Sequence, residues 1–184
     1  MRHAAHADFG QRLTGRGSDG GLTQDGRSQA DALAAELSRD VAAAVYASPR
    51  LRARQTAEAI AAGHGLPVIV AEALDEIDFG GWTAQSFEEL DGQPEWDHWN
   101  SRRSVARCPG GESMAEALDR AAAFVDAVGQ RHGGQAVVLV THCDIIRALL
   151  CREHGRSLDE ILSFEAGPAS VTRLTVGAPR KVAA

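Results

Sequence analysis

The chain has 184 residues, 44% hydrophobic and 24% charged, which is enough for one ordinary domain with a real core. A net charge of -6 excludes a generally basic, nucleic-acid-binding surface, so any anion must be bound by locally gathered arginines. Its basic residues are nearly all Arg, with Lys181 the single lysine, and Arg presents a planar fork of donors matched to phosphate and carboxylate. Cys108, Cys143 and Cys151 form no CxxC pair and are odd in number, which argues against a disulfide framework. No apolar run is long enough for a membrane span, and no signal-peptide core is visible. A reducing cytoplasm is therefore the expected location.

In chain order, "LTQDGRSQADALAAELSRD" predicts a helix capped by Thr23, with Ala30, Leu33, Ala34 and Leu37 on one face. "VAAAVYAS" (41–48) predicts a buried strand. Ser48-Pro49 opens a second helix, which leaves through Gly63 and Gly65. A strand is expected at about 67–71. The stretch 76–112 carries all three Trp and reads as an irregular excursion, an inserted cap over one edge of a single domain. Ser113 with Glu116 forms a capping box for the next helix. "QAVVLVTH" is the most strand-like run, followed by a helix in "CDIIRALLCREHG" and a short one in "SLDEILSF". "SVTRLTV" predicts a last strand, and the tail from Gly177 is expected to be loose. Strands alternating with helices, each strand nearly continuously apolar, predict an α/β fold: a three-layer sandwich around a mostly parallel central sheet.

The polar residues that follow the apolar strands suggest a site. Ser48 and Arg50, Arg52 and Arg54 follow the first strand, and Thr141-His142 follow the strongest one. A strand ahead of Arg2-His3 would bring a second histidine to the same end of the sheet. Strand carboxyl ends line the ligand crevice of open α/β sheets, and a helix N-terminus favours an anion there. Arginines at alternate helix positions point in different directions, so one of the three is expected to face the crevice. The ligand this predicts is a phosphate.

Six blocks in order carry a resemblance. They are "RHA" at 2–4, "QRLTGRGSDGGLTQDGRSQA" at 11–30, "YASPRLRARQTAEAIA" at 46–61, "LDEIDFGGW" at 74–82, "PGGES" at 109–113 and "VTHCDIIRALL" at 140–150. Through them the chain resembles the histidine phosphatase superfamily, which includes cofactor-dependent phosphoglycerate mutases and small phosphatases such as α-ribazole phosphatase. The resemblance implies a phosphoglycerate mutase-like fold and a role for each matching position. His3 would be the nucleophile that carries the phosphoryl group. Arg2 and Arg52 would grip the phosphate oxygens. His142 would be a charged histidine donating to the transferring phosphoryl. Glu76 would protonate the leaving oxygen and then activate water, with Asp144 as a rival donor. No metal or other cofactor is called for, because fixed Arg and His donors do the electrostatic work of phosphoryl transfer. The nucleophilic nitrogen must be free of its proton, so the other ring nitrogen should donate to a backbone carbonyl.

Several positions depart from the pattern. Ala4 replaces a Gly, Ala5 and His6 replace Glu-Thr, and the Asn of the first block has no counterpart; Asp8 would repel phosphate. Cys143 replaces a Gly, either as a reactive thiol or as a small filler. The mutases resembled here are longer and follow their Glu with Arg and Tyr, whereas this chain has Ile77-Asp78-Phe79. Hydrolysis of a small phosphorylated metabolite is therefore expected. Thr14 and Gly15 are expected at the leaving group, and Arg102 and Arg103 echo a mutase carboxylate-binding pair or are solvated. Trp82, Trp96 and Trp99 either wall the cleft or pack the cap. The alternatives are mutase-type transfer, a catalytically weak phosphate- or protein-binding module, and a metal hydrolase using His3, His6 and His142. The oligomeric state stays open. Met1 alone precedes Arg2-His3 where the family has a buried strand, which leads to the expectation that Met1 is internal to a strand starting upstream.

Overall fold

The computed structural model describes residues 1–17 and 20–176, so the expected loose tail lies outside the described residues. Three parallel strands, β1 (Ala42–Ala47), β2 (Val68–Val70) and β3 (Ala136–Val140), form a sheet in the order β2-β1-β3. Side-chain alternation splits the core between the two faces. Val45 and Ala47 of β1 and Val138 and Val140 of β3 pack with α1 (Gln24–Leu37) and α2 (Leu51–His64). Ala44 and Tyr46, together with Val137 and Leu139, meet Phe124 and Val128 of the long helix Met114–His132. Helices thus cover both faces, and the three-layer α/β architecture is the one the strand–helix order predicts.

The local signals explain most boundaries. Thr23 Oγ1 accepts from the Gly26 amide 3.0 Å away and starts α1. Gly26 sits inside that helix because the chain after His3 crosses over it: a Cβ there would lie 1.9 Å from the Ala5 carbonyl oxygen. Ser48, expected to open α2, does not cap it. The N-cap is Arg50, whose side chain makes no capping bond, and Ser48 faces the site described below. The stretch 76–112 holds a 3-10 turn (Gly80–Trp82), α3 (Phe87–Leu90) and α4 (Pro94–Ser101). The Met114–His132 helix, α5, has the expected capping box, and α6 spans Cys143–His154. Residues Leu158–Ser163 form a 3-10 helix rather than an α-helix.

Two strand expectations resolve differently from each other. Met1–His3 runs parallel to the end of β3: Thr141 N–H donates to Met1 O and His3 N–H to Thr141 O, each at 3.0 Å. The strand expected ahead of His3 is therefore present as a single bridge, with the Met1 amino group on Leu139 O at 2.7 Å. The strand expected at 170–176 is not formed. Its start meets the N-terminal segment instead, Ser170 O accepting from Arg2 N–H at 3.1 Å and Ala169 N–H donating to His3 O at 3.2 Å, and Val171 and Leu174 line a groove of about 460 Å³ with Val137 and Leu139 of β3.

Candidate active site

Arg2, His3 and His6, the loop at 9–15, the first turns of α2 and α6, Glu76 after the 3-10 turn Glu72–Leu74, and α4 line one cavity of about 310 Å³. His3 is buried beside β3. Its Nδ1 lies 2.8 Å from the Ala4 carbonyl, which only accepts, so Nδ1 carries the proton and Nε2 presents a lone pair. Arg52, in the first turn of α2 and 2% exposed, donates from Nε to that Nε2 at 3.3 Å. Its Nη2 donates to Gly15 O at 2.9 Å and reaches His142 Nδ1 at 3.2 Å. Of the three arginines at 50–54, Arg52 is thus the one that enters the cavity. Arg2 also lines the cavity, with Nη1 on Ala166 O at 2.6 Å and its guanidinium over the Phe9 ring.

His142 is fully buried at the N-cap of α6, its ring centre 5.1 Å from that of His3. Burial, then the Arg52 guanidinium, push both imidazoles well below the usual histidine range. For His3 this is what a nucleophile needs. For His142 it differs from expectation: the protein environment alone holds the ring neutral, because Arg52, Arg50 and Arg120 add positive charge around a desolvated group. Glu76 shows the opposite sign. Burial, then the Asp144 carboxylate, raise it from 4.5 to about 7, while Arg52 and Arg2 pull it down. A carboxyl that keeps its proton near neutrality is suited to donate one. Asp144 is instead tied to Arg103 Nη1 at 2.9 Å and Arg147 Nη1 at 3.4 Å, so geometry favours Glu76 over its rival.

The remaining expected positions separate clearly. Thr14 and Gly15 line the cavity, and Gly15 has φ +49°, with Phe79 2.9 Å from where a Cβ would be. Arg103 lines it too, buried, with Nη2 on Asn100 Oδ1 and the guanidinium over Trp99. Arg102 does not: it follows α4, points outward and pairs with Asp159 at 3.8 Å. The two arginines are not a pair, because consecutive residues leaving a helix end diverge. Cys143 lines the cavity, but burial and then Asp144 raise its thiol, which fits a filler rather than a reactive thiolate. Trp96 borders the cavity, while Trp82 and Trp99 are core. His6 also lines it, its ring 5.3 Å from His3, pushed down to about 4 mainly by burial and Arg52. Among the described residues, no three His, Cys, Asp or Glu side chains are arranged to hold a metal ion.

Sequence reasoning missed the frame around Glu76. Arg120 of α5 donates to the carbonyls of Ala73, Asp75 and Glu76 at 2.8–3.1 Å, and Arg16 Nε donates to Glu76 O at 2.7 Å. Glu112 accepts from both arginines, so one carboxylate balances the two clamps. Asp75 was missed as well, and Ser48, expected at this end of the first strand, was not linked to His142. Ser48 Oγ lies 2.7 Å from His142 Nε2 and 3.2 Å from Asp75 Oδ1.

The family model of the histidine phosphatase superfamily (branch 1) matches residues 1–183. The chain belongs to the histidine phosphatase superfamily. Phosphoserine phosphatase 1 of Hydrogenobacter thermophilus is 35% identical over 166 residues, 89% of this chain and 79% of that protein. The solved structure of Bacillus stearothermophilus YhfR superposes with a TM-score of 0.84 at 28% identity, covering 91% of this chain and 84% of that one. Entamoeba histolytica phosphoserine phosphatase, solved in complex with 3-phosphoglyceric acid, gives 0.79 at 25% identity, covering 91% and 84%. These relatives bear out the expected enzyme class, a phosphatase acting on a small phosphorylated metabolite. They bear out the phosphoglycerate mutase-like fold class as well. No helix among the described residues is long and apolar enough to cross a membrane.

Proposed function

We propose that this chain hydrolyses the phosphate ester of a small, charged metabolite through a phosphohistidine on His3, without a metal cofactor. The observation that carries the reading is the state of His3. Its Nδ1–H is fixed on Ala4 O and its Nε2 lone pair faces Arg52, beside a carboxyl raised to about 7. Nε2 attacks phosphorus in line, the ester P–O bond breaks, and Glu76 gives its proton to the departing oxygen. Water then attacks the phosphohistidine as the Glu76 carboxylate takes its proton, and the P–N bond breaks to release inorganic phosphate. Arg2 and Arg52 spread the charge of the three equatorial oxygens throughout. The leaving group lies toward Thr14, Gly15, Trp96, Asn100 and Arg103, where Asp144 and Arg147 supply both signs of charge. Phosphoserine and 3-phosphoglycerate, which carry such charges, are the first esters to try.

The test is turnover of p-nitrophenyl phosphate and of these esters, with and without chelator, for wild type and His3→Ala. Turnover that resists chelator and vanishes in the variant supports the reading. Turnover abolished by chelator, or retained by His3→Ala, overturns it. Formation of 2-phosphoglycerate from 3-phosphoglycerate in excess over free phosphate would assign mutase transfer instead. Absence of turnover on all esters, with phosphate still bound, would leave a binding module.

A further inference from the structure

Ser48 and Asp75 are buried polar residues that the hydrolytic scheme does not use, yet they stand directly behind His142. Ser48 Oγ has three partners. The Arg50 amide at 3.3 Å can only donate to it, and the Asp75 carboxylate at 3.2 Å can only accept from it. The single hydroxyl proton is therefore spent on Asp75, and His142 Nε2, the third partner at 2.7 Å, must donate. Asp75 is held in place by Arg50 Nε at 3.0 Å and by the Glu76 amide at 2.8 Å, with Arg16 Nε at 3.5 Å. On the other side of the ring, Arg52 Nη2 at 3.2 Å donates to Nδ1, and Glu76 Oε2 lies 3.8 Å away.

We propose that Ser48 and Asp75 are positioning residues that fix His142 as the Nε2–H tautomer, so that Nδ1 is the nitrogen offered to the phosphoryl group and becomes protonated when that group binds. This inference rests on the phosphatase reading for its purpose but not for its geometry. Asp75 Oδ1, 3.9 Å from Nε2, is the counter-charge for the imidazolium. The proton is the one a phosphate monoanion brings: it passes from the P–OH oxygen to Nδ1, leaving a dianion against a cation. His142 is thus neutral at rest and charged in the complex, which reconciles the ring's surroundings with its expected role as a cationic donor. Every element around it takes part in that balance: Arg52 from α2, Arg50 ahead of it, His3 from the N-terminal segment, Asp75 and Glu76 from the loop, and Arg120 from α5.

The experiment is nitrogen NMR of ¹⁵N-histidine-labelled protein, with and without inorganic phosphate, for wild type, Ser48→Ala and Asp75→Asn. In wild type, His142 should appear as the neutral Nε2–H tautomer and become doubly protonated when phosphate binds. In Ser48→Ala the free form should become a tautomer mixture, and the doubly protonated form should appear only at lower pH. Asp75→Asn keeps the side chain's size while removing the charge, and tests the relay if the cavity at position 48 weakens the fold. Both variants should lose about 10–100-fold in kcat with KM little changed, as removal of an orienting partner does. An Nδ1–H tautomer in wild type, or an unchanged tautomer and phosphate-linked proton in both variants, overturns the proposal. The tautomer is read without turnover, so an inactive wild type with the Nε2–H form would sink the phosphatase reading and leave the relay standing.

Discussion

Replacing Glu76 by Gln isolates one proton. The substitution keeps the side chain's size and keeps an oxygen for the Ile77 amide, which Glu76 Oε1 accepts at 3.0 Å. It leaves Arg2, Arg52 and His142 untouched, so phosphate affinity should stay near wild type. General acid–base assistance is worth about 10²–10⁴-fold, or roughly 3–5 kcal/mol of barrier. The expected result is a loss of that size in kcat on an alkyl phosphate, whose alkoxide needs a proton to leave. On p-nitrophenyl phosphate the loss in kcat/KM should be far smaller than on the alkyl ester, because that ratio ends at P–O cleavage and nitrophenolate departs unprotonated, while kcat falls on both esters through the hydrolytic step that Glu76 serves as base.

Stability provides an independent reading of the same group. The carboxyl sits at about 7 in the fold against 4.5 when unfolded. Below pH 4.5 both states hold the proton and the group is neutral in its effect. As pH rises toward 7 the unfolded chain ionises first, so wild type loses about 3 kcal/mol of stability over that window, and no more beyond it. The Gln variant lacks this loss. Urea unfolding at pH 4.5 and pH 8 should show a larger fall for wild type than for the variant, while steady-state kinetics give the leaving-group dependence. An equal loss of kcat/KM on both esters, or full activity on the alkyl ester, would refute Glu76 as the donor.

Asp144→Asn removes the negative charge that is the second cause of the raised Glu76 carboxyl, so the alkaline limb of kcat/KM should move to lower pH. An unmoved limb would show that another group sets it. Arg52→Lys loses the fork that spans His3, Gly15 and His142, and should cost about 10²–10³-fold in kcat, measured on p-nitrophenyl phosphate. Gly26→Ala tests the crossing over α1. Helix propensity alone would add about 1 kcal/mol, but the new methyl meets the Ala5 carbonyl at 1.9 Å, so calorimetry should show a lower Tm and assays a lower activity.

His142 is legible in the sequence because it follows the most strand-like run, whereas His3, Arg52 and Glu76 are singled out by the resemblance of their blocks. Their convergence follows from where parallel strands end. The frame is not legible for the same reason in reverse. Arg120 sits in the middle of α5 and reads as a solvated charge; only the packing of α5 against residues 72–76 turns its donors onto three carbonyls. Ser48 reads as a helix cap by type and position, and only the pairing of β1 with β3 places it against His142 instead. Arg102 and Arg103 are adjacent in sequence, but the residue at which α4 ends decides which one turns inward, and helix ends are the least readable feature of a pattern. The segment 170–176 alternates like a strand, yet a strand needs a neighbour, and alternation does not show that its backbone pairs with the N-terminal segment only at Ala169 and Ser170.

The proton inventory gives these pieces one logic. Near and below neutral pH, the nucleophile is unprotonated at Nε2, the acid holds its proton, and His142 is neutral at Nδ1. Burial is the first cause of each of those states, and Arg52 is the largest charge acting on both imidazoles. Arg52 serves the two imidazoles at once, so a phosphate that draws its guanidinium away frees both reacting nitrogens in the same movement. A neutral ligand of the same shape would not draw it away, because the guanidinium would gain nothing for the two bonds it gives up. Selection for a phosphoryl anion is therefore built into the resting hydrogen bonds. A competition series makes this measurable: inorganic phosphate and sulfate should perturb the ¹⁵N signals of His3 and His142 together, and an uncharged phosphate triester should perturb neither. Separate titration of the two rings by phosphate would show that Arg52 does not couple them.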